Sequence, residues 1–217
     1  MCKTYQCVLE DDAAILSISN KTDSQAMPRD EFDRAINRRQ RSKLSTATRI
    51  AGTMIEHFKI NEKLQEFQCD PANTPVVVCN RFANWDYVSD AMCSDVEVTL
   101  DQVNNYVATA WFPATVQGFL TIDNANTGEA ITIATKDPDL QSATIASLFP
   151  KGKDGVRKGA VIFATFECVP DHIGGRAITG SKTGAFGAIT IVRADDSQEE
   201  IDDAIQTHLR MYENVAA

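Results

Sequence analysis

Hydrophobic positions recur along this chain with two different periods. Over residues 43–60, Leu44, Ala47, Ala51, Met54, Ile55 and Phe58 fall three and four apart, which gathers them on one side of a helix. The stripe breaks at Asn61. After a polar stretch ending in Pro75, Val76-Val77-Val78-Cys79 is short, β-branched and apolar without interruption, as a strand covered on both faces requires. Residues 99–116 read as a helix, or a helix plus loop, through Val103, Tyr106, Val107 and Ala110. Phe112-Pro113 interrupts that pattern, and a second apolar stretch covers 116–122. A turn at 124–128 leads to the alternating strand Ala130-Ile131-Thr132-Ile133-Ala134. Asp137 then stands where an N-cap belongs, with Pro138 at the first helical position, so a helix is predicted from there through Leu148. Apolar strands at 161–166 and 184–192 and an amphipathic helix over 201–212 complete the pattern. Only residues 19–29, around Met27-Pro28, read as an irregular connection. Strands alternating with helices imply an α/β layered fold.

Composition adds limits rather than detail. The chain has 217 residues, 43% hydrophobic and 24% charged, which suits one globular domain spanning 1–217 with a sizeable core. No apolar run is long enough to span a bilayer. Lys and Arg total 21 against 30 for Asp and Glu, a net charge of -9 that disfavours nucleic acid and anionic membranes as partners. The six cysteines, Cys2, Cys7, Cys69, Cys79, Cys93 and Cys168, include no Cys-x-x-Cys pair, and only the loose Cys168/His172 spacing brings a histidine near one, so no metal site is expected. The first residues carry neither a basic segment nor an uninterrupted apolar one, which gives the expectation of a cytoplasmic protein with reduced thiols. Gly174-Gly175 and the glycines of 180–187 match no phosphate-binding pattern, and no cofactor is expected.

Read in order, several of these pieces resemble a known family. The segment RRQRSKLSTATRIAGTMIEHF is similar to an Arg-rich stretch running into the helix before the strand at 76–79. Val116-Gln117-Gly118-Phe119-Leu120-Thr121-Ile122 follows a segment in which Trp111, Phe112 and Pro113 are bulky departures. Thr132-Ile133-Ala134-Thr135-Lys136-Asp137 is similar to a strand of the form Thr-Val-x-Thr-Ala-Cys, and residues 159–167 and 184–192 resemble the two strands that follow it. Together, over about residues 34–192, they resemble the N-terminal half of a β-ketoacyl synthase. The resemblance implies a thiolase-like half-fold, a mixed and mostly parallel sheet with helices on both faces. It also places Asp137 where the family carries its nucleophilic cysteine. The family's catalytic histidines and lysine belong to a second half of some 200 further residues in the usual architecture, beyond the stretch matched here.

A condensing enzyme needs a thiolate to accept the acyl chain and donors around the thioester carbonyl. A carboxylate at a helix N-terminus is held as an anion and carries no stable acyl thioester. The resemblance therefore suggests a non-condensing ketosynthase-like protein of fatty acid or polyketide-type metabolism. Such a protein would bind acyl chains or acyl carrier protein, or pair with a ketosynthase-type subunit, and a half-fold would be expected to form an oligomer. Arg38, Arg39 and Arg41, with Arg34, Lys43 and Arg49, would contact a carrier protein or the phosphates of coenzyme A; a solvated helix face is the plainer reading. A rival reading makes the chain a small thioester-handling acyltransferase in which Cys168 and His172 form a dyad across the Pro170 turn. A third makes it an acyl-carrier-protein binding module. His57 and His208 read as solvated or core-edge side chains, and Trp111, Phe112 and Phe119 either line an acyl tunnel or pack the core.

Overall fold

The alternating pattern condenses into one seven-stranded sheet with helices on both faces. The computed structural model describes residues 2–19, 21–34, 36, 44–92, 107, 110, 112–123, 125–153, 155–168 and 184–213. The strands are β1 (Thr4–Leu9), β2 (Ala13–Ile18), β3 (Ser24–Pro28), β4 (Val76–Cys79), β5 (Ala130–Ile133), β6 (Ala160–Cys168) and β7 (Ala185–Arg193). The helices are α1 (Arg29–Arg34), α2 (Thr46–His57), α3 (Ile60–Glu66), α4 (Trp85–Met92), α5 (Ala114–Asp123), α6 (Pro138–Leu148) and α7 (Gln198–Glu213). The strand order is β3-β2-β1-β7-β6-β4-β5.

The α/β class and the two-sided helical cover match the expectation, but the strand directions correct it. Only the β4–β5 and β4–β6 ladders are parallel; β1–β2, β1–β7, β2–β3 and β6–β7 are antiparallel. Five strands still point one way, with β2 and β7 running against them. An uninterrupted apolar strand reports helices on both faces, whatever the direction of its neighbours, so the runs in β6 and β7 could not reveal that they pair antiparallel. A second correction concerns residues 19–29. Ser24–Pro28 forms the outer strand of a three-stranded meander, with Met27 its one buried side chain.

One face of the sheet packs against α2, α3 and α5. Ala47, Ile50, Ala51 and Met54 of α2 are fully buried against Ala164, Phe166 and Ile189. Gly187 permits this seating, because a β-carbon there would lie 2.6 Å from Ile50 Cγ2 and 2.7 Å from Met54 Sδ. The helix starts at Ser45, whose hydroxyl accepts the Thr48 amide at 3.2 Å, and ends at Phe58. Lys59 takes a left-handed conformation (φ 54°) and opens α3, so the break falls two residues before Asn61. The other face packs against Ile145 and Leu148 of α6 and Ile201 and Ile205 of α7.

α5 begins directly after Pro113, and most of 99–111, where a preceding helix is expected, lies outside the described residues. Asp195 and Asp196 lie in the turn after β7, where the Asp196 side chain is buried. Its carboxylate accepts the Arg193 amide at 2.7 Å and the Arg193 guanidinium at 2.8 Å.

Candidate functional site

The parallel strands β6, β4 and β5 end side by side, and the chemically distinctive side chains gather at those ends. Asn80 follows β4, Cys168 closes β6, and Asp137 follows β5. Two strand spacings, roughly 10 Å, separate the ends of β5 and β6.

Beyond Val78 the β4–β6 ladder is continued by other groups. The Asn80 carboxamide oxygen accepts the Phe166 amide at 2.8 Å, and the Ala83 carbonyl accepts the Cys168 amide at 3.0 Å. Between them the chain turns so that three successive amides face Glu167. Its Oε2 accepts from Phe82 at 2.9 Å and from Ala83, and its Oε1 accepts from Arg81 and from the Tyr212 hydroxyl at 2.5 Å. Ala83 holds the left-handed conformation (φ 48°) that closes this cradle. Glu167 is fully buried, and burial pushes its carboxyl above the ordinary range while the Tyr212 hydroxyl and the amides oppose that shift. Three of its four partners can only donate, an arrangement that a carboxylate satisfies through both oxygens. The Arg81 guanidinium lies over the Phe82 and Tyr212 rings, 5.1 and 5.2 Å from their centres.

Cys168 points to the other face, toward α2. It is buried among Asp86, Thr46 and Arg49, and burial raises its thiol well above the ordinary value, with the charge of Asp86 raising it further. This surrounding is the reverse of one that generates a thiolate. Asp86 accepts the Thr46 amide at 3.3 Å, and burial raises its own pKa while hydrogen bonds from Thr46, the Tyr87 amide and Cys168 oppose that shift. His172 lies outside the described residues, so the structure places only one member of the Cys168/His172 pair.

Asp137 sits where the sequence predicts, at the N-cap of α6. Its Oδ1 accepts the Asp139 and Leu140 amides at 2.9 and 3.3 Å, and the side chain is exposed. Behind it, buried Gln141 donates to the Thr135 carbonyl at 3.0 Å and to Cys79 Sγ at 3.2 Å, tying the start of α6 to the end of β4.

The other sequence candidates disperse. Arg38, Arg39, Arg41 and Lys43 lie outside the described residues. Arg34 pairs with Asp30, and Arg49 pairs with Asp33 at 3.0 Å. His57 is half-buried with its ring edge-on to Phe58, and burial lowers its pKa. His208 is neither solvated nor at the core edge. It is fully buried between Thr165 and Thr190, 3.0 Å from each hydroxyl, and burial lowers its pKa to about 3. Thr190 in turn lies 2.7 Å from the Thr4 hydroxyl. Phe119 packs against the core and Phe112 is exposed. The apolar cavity between α2, α3 and the sheet, lined in part by Ile55, Leu120 and Phe166, measures about 20 Å³, far below an acyl chain.

The sequence reading passed over Glu167, Asp86 and the 81–83 amides. Glu167 left a usable signal: a lone carboxylate inside the run Val161 to Cys168 sits at a position where burial demands partners.

No protein-family profile and no curated protein matches this chain. Solved structures that share its fold include two complexes. One is the AntDE:AntF complex, a type II polyketide synthase acyl-carrier protein with its ketosynthase bound to the hexaketide. It matches at 19% identity with a TM-score of 0.54, over 75% of this chain and 50% of the other. The second is the ketosynthase ApeO in complex with its chain length factor ApeC from Xenorhabdus doucetiae, at 11% identity and a TM-score of 0.50, over 87% of this chain and 76% of the other. The present chain thus spans half the length of the first of these. Its fold is thiolase-like.

Proposed function

We propose that this protein is a ketosynthase-like accessory subunit of polyketide or fatty acid-type metabolism. In this reading it does not condense acyl chains itself but associates with a ketosynthase-type subunit and an acyl carrier protein. The observation that carries the reading is Asp137. On a ketosynthase-related fold, the position that resembles the family's nucleophile holds a carboxylate already engaged as the N-cap of α6. Such a group stabilises the helix start and forms no thioester. The burial of Cys168 beside Asp86, which disfavours its thiolate, supports the same reading, since it supplies no replacement nucleophile. Both neighbouring structures are complexes, one with an acyl-carrier protein and one with a chain length factor, which supports partners of those two kinds.

Intact-mass measurement after incubation with acyl and malonyl thioesters of coenzyme A and carrier protein tests the non-condensing part. The expected result is no adduct under conditions that load an ordinary ketosynthase. An adduct mapping to Cys168 and lost in Cys168→Ser would overturn it in favour of a thioester enzyme. Co-expression with a ketosynthase-type subunit, followed by light scattering on the eluted peak, tests the association.

A further inference from the structure

A groove runs along the end of the sheet opposite the strand ends described above. It passes the start of β1, the end of β7 and the start of β6. Its widest part, about 560 Å³, is walled by Arg157, Lys158 and Arg193. A contiguous lobe of about 250 Å³, sharing Arg193 and Phe67, adds Lys3 and Lys63. These five cations face two carboxylates in the lining, Glu66 and Asp195, and Arg193 is already paired with Asp195 at 3.5 Å and with Asp196 at 2.8 Å. The groove is thus net positive on a chain whose net charge is -9. Phe67 and Val156 are 43% and 57% exposed within it, two large apolar side chains ringed by cations.

The cations differ in what they already hold. Arg157 lies over the Phe149 ring at 5.7 Å, and Lys63 donates to the Phe58 carbonyl at 2.5 Å, so both offer their charge to a partner. Arg34 and Arg49, at the ends of the basic stretch singled out from the sequence, are each paired with an aspartate of α1. An acidic partner is repelled by most of an acidic surface and attracted only where positive charge is concentrated, and exposed apolar groups at such a place provide the anchor.

We propose that this groove docks the acidic face of the acyl carrier protein; the identity of the partner rests on the functional reading above. The nine residues of β6 separate the groove from Cys168 by roughly 25 Å at the usual rise per residue. A carrier held here keeps its cargo away from Cys168 and Asp137, so docking recruits the carrier without engaging it in chemistry on this chain.

The test is fluorescence anisotropy of a labelled holo acyl carrier protein from a type II polyketide synthase against the full chain, at low and high salt. Wild type is expected to bind with an affinity that falls as salt rises. The double reversal Arg157→Glu/Lys158→Glu is expected to bind at least about tenfold more weakly, and Arg34→Glu within about twofold of wild type. Circular dichroism melts establish that the variants fold; should the double reversal fail to, Val156→Asp, at an exposed side chain, makes the same test. Groove variants that bind like wild type, or a loss confined to Arg34→Glu, overturn the groove and leave the functional reading intact. A wild-type chain that binds a ketosynthase-type subunit but no carrier protein overturns both the groove and the carrier half of that reading.

Discussion

Glu167 is bound on all sides by donors, and that makes it the most exacting test of the geometry at the strand ends. Replacing it by glutamine keeps the shape and one oxygen but sets an NH2 group where donors already point. The surviving oxygen serves one side of the cradle. On the other side at least one buried donor is left facing another, and every remaining bond loses its charge assistance. Hydrogen bonds to charged groups contribute about 1.5 to 3 kcal/mol, and a buried donor left without a partner costs about 1 to 3 kcal/mol. The expected loss for Glu167→Gln is therefore roughly 3 to 4 kcal/mol, a large share of the stability of a domain of this size. Tyr212→Phe removes one donor and leaves the three amides satisfied. Its ring still packs edge-on against Phe186 at 5.1 Å, so its cost is expected to be about 1 to 2 kcal/mol. In the glutamine background the tyrosine change should cost about 1 kcal/mol less, since the two groups share one bond. Urea unfolding of the four proteins, with unchanged slopes and shifted midpoints, reads these values directly. A Glu167→Gln protein within about 0.5 kcal/mol of wild type would refute the anionic cradle.

Four further outcomes follow from the same coordinates. His208 is buried as the neutral ring with its pKa lowered to about 3, so the unfolded chain binds its proton first; stability is complete above the ordinary value of 6.5 and declines as pH falls toward 3, by on the order of 5 kcal/mol in all. Equilibrium unfolding across that window should show the slope, and His208→Gln should flatten it. Gly187→Ala, which drives a β-carbon into Ile50 and Met54, should destabilise by about 1 to 3 kcal/mol in thermal melts, while the same change at Gly118, with open space around it, should not. Asp137→Ala should cost about 1 kcal/mol and Asp137→Asn a few tenths, both read by urea midpoints. Among the described cysteines, half-buried Cys69 should be alkylated well before Cys7, Cys79 and Cys168, whose burial raises their thiols; mass mapping after brief iodoacetamide treatment decides this.

Much of the layered fold was legible because its signals are local. The three- and four-residue stripe of α2, the Asp137-Pro138 start of α6 and the unbroken apolar runs of β4, β6 and β7 each declare themselves within a dozen residues. The N-terminal meander is local too. Tyr5, Cys7 and Leu9 alternate inward in β1, as do Ala14 and Leu16 in β2, but short strands with polar outward positions give a weak period against the surrounding Asp and Ser residues. Strand direction left no mark, because burial on both faces looks the same in parallel and antiparallel neighbours. At the site, Asp137 and Cys168 were visible by residue type, and Asp137 lies at the predicted cap. What makes the region distinctive, the meeting of Glu167 with the 81–83 amides and Tyr212, joins segments more than forty residues apart and depends on a left-handed alanine that no sequence rule anticipates.

The attachment of α7 also bears on the order in which the nascent chain matures. Thr165, Thr190 and Glu167 point from β6 and β7 toward the face that α7 covers, and two residues of that helix, His208 and Tyr212, complete their bonding. A chain emerging from the ribosome through β7 has made the central hairpin of the sheet but leaves these polar groups to water. Closure of that layer must wait until residues 198–213 have been released from the exit tunnel, so the sheet forms its hydrogen-bonded ladders before the polar groups on this face find their partners.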